Sequence, residues 1–173
     1  MIRVIGLGSP FGDDRAGWEL VEALRGRVPA AVELVALDRP GAALVNWIEG
    51  VDWLVLVDAY LARNELGRYR RLDPAAVPPR ELAWNSHALD LHVALALGRQ
   101  LGLAPARLDI YAIAIDDPGR ATRSVEVASA VRQLAGRLAA ELAQTCRELP
   151  AGLASAKPEQ AGETVEPGKN SLH

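Results

Sequence analysis

Three side chains in this sequence have the types needed to share a metal ion or a proton: Asp14, Asp58 and His87. Asp14 stands in GLGSPFGDDRAG, where an apolar run gives way to a helical pattern. Asp58 directly follows WLVLV, the strongest strand signal in the chain. His87 lies in NSHALDL, at the start of another helical stretch. Two carboxylates and one imidazole suit a divalent transition metal, with positions left open for water or substrate. Plainer readings stand beside this one. Asp14 could only favour a helix dipole, Asp58 could cap a loop, and His87 could be a structural or exposed histidine. Asp13 reads as the N-cap of the first helix. Asp116 and Asp117 read as caps of the turn after the last strand, and His92 as structural or exposed.

Other chemistries find less support. The single cysteine, Cys146, falls late in the last helical stretch and leaves no disulfide framework. Ser86 adjoins His87, but no nucleophile-elbow pattern surrounds it. Gly6, Gly8 and Gly12 resemble a dinucleotide fingerprint, but Phe11 occupies the position that needs Gly or Ala. Asp38 mimics the ribose-binding acid of such folds. Asp13 and Asp14, however, would put negative charge where the pyrophosphate must sit. A dinucleotide-binding domain is therefore the weaker alternative.

The elements that must position these residues alternate. Residues 2–7 read as a strand buried on both faces. Trp18, Val21, Leu24 and Val28 follow helical spacing, which predicts a helix over residues 14–27, ended by Pro29. Residues 32–37 form a second strand, Pro40-Gly41 a turn, residues 42–49 a short helix and residues 53–57 a third strand. Such repeats argue for a parallel sheet with right-handed crossovers. Too few residues then separate Asp58 from residues 67–72 for a crossover helix. That segment, with Arg68, Arg70 and Arg71, reads as an antiparallel edge strand. Pro74, Pro78 and Pro79 mark a loop. A helix over residues 87–101, capped by Asn85 or Ser86, a strand over residues 108–115 and a long helix over residues 124–149 follow. The expected fold is a single three-layer α/β domain over residues 1–150. It has a mostly parallel, twisted, five-stranded sheet with one antiparallel edge strand and helices on both faces. Residues 151–173 turn to Gly, Pro, Ser, Glu and Lys and read as a disordered tail. In a sheet of order 2-1-3, the first and third strands are neighbours. Asp14 and Asp58 then face one another across the switch point, and His87 can approach from above.

Composition narrows the function classes. The 173 residues are 50% hydrophobic and 24% charged, with a formal net charge of −3, so no nucleic-acid footprint is visible. No apolar run is long enough for a membrane span, and no leader pattern opens the chain, so the expected location is the cytoplasm.

The runs GLGSPFGDDRAGWELVEAL, DRPGAALVNWIEGVDWLVLVDAY and NSHALDLHVALALG, in this order and spacing, resemble the hydrogenase maturation proteases. These endopeptidases trim the C-terminus of the large subunit of nickel–iron hydrogenases. The resemblance covers residues 1–145 and implies a mixed α/β sheet flanked by helices. It implies that Asp14, Asp58 and His87 are the metal-binding and catalytic residues. The metal would be nickel already inserted in the large-subunit precursor, with no organic cofactor and neither nucleic acid nor membrane as partner. The residues Asp38, Arg39, Pro40 and Gly41 occupy the loop thought to govern substrate choice, where many members carry an Asp-Gly-Gly-Thr-like sequence. Two further departures are Ser9, where the family often has Asn, and Asp14, where other members have Glu. The expected function is removal of the precursor's C-terminal extension. A non-cleaving, metal-dependent maturation chaperone is the alternative within the same resemblance.

Overall fold

The computed structural model describes residues 1–73 and 86–148, with side chains from Val93 onward in the second of these segments. Strands β1 (Ile2–Gly8), β2 (Val32–Asp38), β3 (Trp53–Leu61), β4 (Tyr69–Leu72) and β5 (Arg107–Ile115) form one sheet of order β2-β1-β3-β5-β4. All neighbours are parallel except β4, which pairs antiparallel with β5 at the edge. This is the expected α/β architecture, including the arginine-bearing edge strand.

The sheet is parallel because its middle strands are apolar on both faces. In β3, Leu54, Val55, Leu56 and Val57 have no exposed surface at all. On one face, Val55, Val57 and Ala59 pack beneath helices α1 (Ala16–Leu24) and the last helix (Val125–Glu148). On the other, Leu54 and Leu56 pack beneath a 3-10 turn (Gly41–Trp47) and helix α2 (Ser86–Gln100), through Leu44, Ala94 and Leu95. The last helix, α3, carries an apolar stripe (Val127, Val131, Leu134, Leu138, Leu142) that is buried throughout. Fully burying a side chain of this kind contributes about 1.5–3 kcal/mol, so these two faces account for the sheet's cohesion.

Several boundaries differ from the sequence expectation. The first helix is split. A 3-10 turn (Gly12–Arg15) precedes α1, and the helix closes at Leu24 as Arg25 swings to extended ψ. The short helix after β2 is 3-10 rather than α. Strand β3 does not stop before Asp58 but runs on to Leu61, because β5 supplies a ladder as far as the Leu61–Ile115 pair. Asn85, the prolines at 74, 78 and 79, and the tail over residues 151–173 lie outside the described residues. Among the described residues, no helix is long and apolar enough to cross a membrane.

Helix α1 lies unusually close to the sheet. A Cβ on Gly6 would stand 2.0 Å from the Gly17 carbonyl oxygen, and one on Gly17 would stand 2.2 Å from that of Leu7. Only glycine at both positions permits this approach. Trp18 adds a hydrogen bond from its Nε1 to the Leu37 carbonyl (2.9 Å), fixing the helix against the end of β2.

Candidate active site

The site is made by strands of unequal length. Pairing between β1 and β3 ends at Gly6–Val57, since β1 stops and turns at Gly8. Asp58 is thus the first β3 residue with no β1 partner, and it stands in the crevice between two strands that leave the sheet edge in different directions. In open parallel sheets that crevice is where ligands bind.

The turn after β1 brings Asp14 to the same place. The Asp14 N–H donates to the Phe11 carbonyl (3.1 Å), and its own carbonyl accepts from the Ser9 N–H (3.3 Å). Gly8 sits beneath it, where a Cβ would come within 2.3 Å of the Asp14 carbonyl oxygen. The Asp14 side chain is buried, yet its carboxylate accepts no hydrogen bond among the described residues. Asp58 Oδ1 accepts one, from the Ala59 N–H (2.8 Å). Burial, with the like charge of Asp14 adding to it, pushes the Asp58 carboxyl up to about 7, against the single stabilising bond to Ala59. Two carboxylates poor in donors can bind a cation between them, and Asp58 can exchange a proton near neutrality.

The adjacent acid has a different role. Asp13 is completely buried, but its Oδ1 accepts from the Ser124 N–H (2.7 Å) and its Oδ2 from the Ser124 hydroxyl (2.8 Å). It therefore caps no helix of its own, contrary to the sequence expectation. It secures the residue that opens α3, because the 3-10 turn points its side chain across to the end of the sheet. Gly12 makes the neighbouring contact. Its φ of +41° and the 2.0 Å that a Cβ would leave to the Arg120 carbonyl oxygen both require glycine. Arg120 in turn binds Asp116 (2.6 Å), and Asp117 Oδ1 accepts from the Gly119 N–H (2.9 Å). Asp117 thus fulfils the expected turn-capping role.

The loop after β2 borders the site. Asp38 is the last residue of β2 and pairs with Gly8. Arg39 adopts a left-handed φ of +41° and its Nε donates to Asp38 Oδ1 (2.7 Å). The Asp38 carboxylate raises the affinity of the Arg39 guanidinium for its proton, and the Asp14 charge adds in the same sense. Pro40 and Gly41 then open the 3-10 turn. The sequence offered no sign that Arg39 would be electrostatically linked to Asp14.

His87 is the second residue of α2, and its side chain, like that of His92, lies outside the described residues. Its backbone position follows from connectivity. Helix α2 precedes a strand that enters the sheet at the opposite edge, so its N-terminal end is at the edge of Asp14 and Asp58. Alternation along β3 places Asp58 on the face of Leu54 and Leu56, the face that α2 covers. Among the described residues, no three His, Cys, Asp or Glu side chains form a metal cluster. Cys146 is half-buried against the core at the far end of α3. A pyrophosphate site is disfavoured here, since two buried acids precede α1.

The family model described as HycI, hydrogenase maturation protease, matches residues 18–141. The comparison with curated proteins gives no match. Among solved structures, the hydrogenase-maturating endopeptidase HybD from Escherichia coli is 23% identical, with a TM-score of 0.69, covering 83% of this chain and 93% of that one. The nickel–iron hydrogenase maturation protease HycI from Thermococcus kodakarensis is 23% identical, with a TM-score of 0.67, covering 82% and 91%. The hydrogenase 2 maturation peptidase from a Thaumarchaeota archaeon is 18% identical, with a TM-score of 0.60, covering 82% and 97%.

Proposed function

The chain belongs to the hydrogenase maturation protease family and is an endopeptidase of hydrogenase maturation, and from that premise we propose its reaction: it removes the C-terminal extension of a nickel-loaded large-subunit precursor in the cytoplasm. The nickel is part of the substrate. Asp14, Asp58 and His87 are the groups that dock onto it, and Asp38, Arg39, Pro40 and Gly41 contact the precursor beside them.

The observation that supports this reading is the pairing of Asp14 and Asp58 at one sheet edge, both short of hydrogen-bond donors. A divalent cation relieves their repulsion, so a precursor carrying its metal binds better than one without it. Docking holds the scissile peptide beside the two carboxylates, and proximity supplies much of the rate. A water then attacks the scissile carbonyl carbon, and its proton passes to a carboxylate. Asp58, with its pKa near 7, holds or releases a proton at neutral pH at little cost, and returns it to the leaving amine as the C–N bond breaks.

The test is incubation of the full-length protein with a purified nickel-loaded precursor, followed by mass spectrometry. Wild type yields the shortened subunit and the released peptide. Asp58→Ala and His87→Ala, checked for folding by circular dichroism, leave the precursor intact. Processing at the wild-type rate by Asp58→Ala would overturn the assignment.

A further inference from the structure

Beyond Asp58, the end of β3 opens into a groove. Residues two apart on a strand share a face, so Tyr60 stands on the face of Asp58, about 6–7 Å further along. Tyr60, Leu61, Arg63, Glu65 and Arg70 line a cavity of about 520 Å³. Leu61 and Arg63 also line a second cavity of about 480 Å³, bounded by Asp116, Asp117 and Pro118. The two cavities share Leu61 and Arg63 in their lining.

The acids of these cavities are largely engaged. Glu65 accepts a hydrogen bond from the Tyr60 hydroxyl (2.7 Å), and Asp116 is paired with Arg120. The arginines are not. Among the described residues, Arg70 lies over the Tyr60 ring, 4.6 Å from its centroid, and has no ion pair, while the exposed Arg63 has neither hydrogen bond nor ion pair. The first cavity thus sets two arginines against one carboxylate, Glu65, while Asp116 and Asp117 border the second. Arg70 is also held in place by its ring contact, so its guanidinium fork is ready for a carboxylate.

We infer that this groove receives the segment of the hydrogenase precursor flanking the scissile bond on its extension side, and that Arg63 and Arg70 select a precursor with an acidic side chain there. The inference rests on the reading of Asp14 and Asp58 as the centre that docks the precursor's metal. Reach fixes where the acid must be. An extended peptide advances about 3.3 Å per residue, so a chain held at Asp58 arrives at Arg70 within about two to four residues. A terminal α-carboxylate could meet these arginines only if the whole extension were that short. A side-chain carboxylate close to the cut meets them whatever the length.

The experiment is steady-state cleavage of the nickel-loaded precursor by full-length wild type, Arg63→Glu and the double variant Arg63→Glu/Arg70→Glu. The expected result is a KM raised about tenfold by Arg63→Glu and further by the double change, with kcat held within about twofold. Replacing the acidic residue near the cut by Lys in the precursor should impair wild type and restore the KM of the double variant. Arg63 is exposed and makes no hydrogen bond or ion pair among the described residues, so its variant separates recognition from folding. An unchanged KM in both variants, a loss confined to kcat, or a precursor with no acid within four residues of the cut would overturn the inference. Asp58→Asn is assayed alongside. Normal cleavage by that variant would remove the metal-docking reading instead, and the KM series would still report on the groove.

Discussion

The ladder between β3 and β5 carries a buried aspartate toward one end and a half-buried one toward the other, and the two are opposites. Asp109, toward the start of β5, is almost wholly buried and accepts bonds from Trp53 Nε1 (2.8 Å) and Arg107 Nε (2.9 Å), with Arg71 reaching it from the edge strand. Arg107 is itself stacked 3.8 Å above the Trp53 ring and tied to Glu141 of α3. One carboxylate thus joins β3, β4, β5 and α3. Asp58, at the other end, has a single backbone donor and a like charge for a neighbour. A buried acid surrounded by donors serves the fold. The same side chain left short of them keeps its proton to higher pH.

This contrast is open to attack by mutation. The largest effect is expected at Asp109. Asp109→Ala leaves two guanidinium groups and an indole N–H without their shared acceptor, and should cost about 3–5 kcal/mol in urea unfolding. A loss below 1 kcal/mol would erase the distinction. Asp58→Asn should have the reverse sign. The folded protein binds the Asp58 proton more tightly than the unfolded chain does. Its favourable contribution is therefore complete below about pH 4 and is lost as pH rises through about 7. The Asn variant should be more stable than wild type by about 2–4 kcal/mol at pH 8, with the difference vanishing near pH 4. Equal stabilities at pH 8 would show that Asp58 carries no such burden. Asp13→Ala, which removes two bonds to Ser124 at the opening of α3, should fall below both at about 1–2 kcal/mol, read as a lower thermal midpoint.

The sequence made the sheet legible because its signals are local. Alternating strand and helix patterns, an abrupt polar break after Asp58 and an arginine-rich segment too close for a crossover sufficed to order five strands. The failures have one physical origin, which is partners distant in sequence. Asp58 looked like the end of a strand because an acid interrupts an apolar run, yet β5 continues the ladder past it. Asp13 looked like the cap of the first helix, and only Ser124, 111 residues away, shows that it holds the opening of α3 instead. Asp109 was not singled out at all, although an acid inside LDIYAIAI was a sign that something nearby must satisfy it.

The clasp between Gly12–Asp13 and Arg120–Ser124 has a bearing on when this molecule becomes an enzyme. The turn carrying Asp14 is among the first segments synthesised, but what anchors it emerges more than a hundred residues later. Closing so long a loop is entropically costly and slow, and must await docking of α3. A nascent chain therefore exposes its two acids without holding them in register, and a product truncated before Ser124 lacks the latch altogether. The placing of the Gly12–Asp14 turn is thus among the last things the chain settles, although the turn is among the first things it makes.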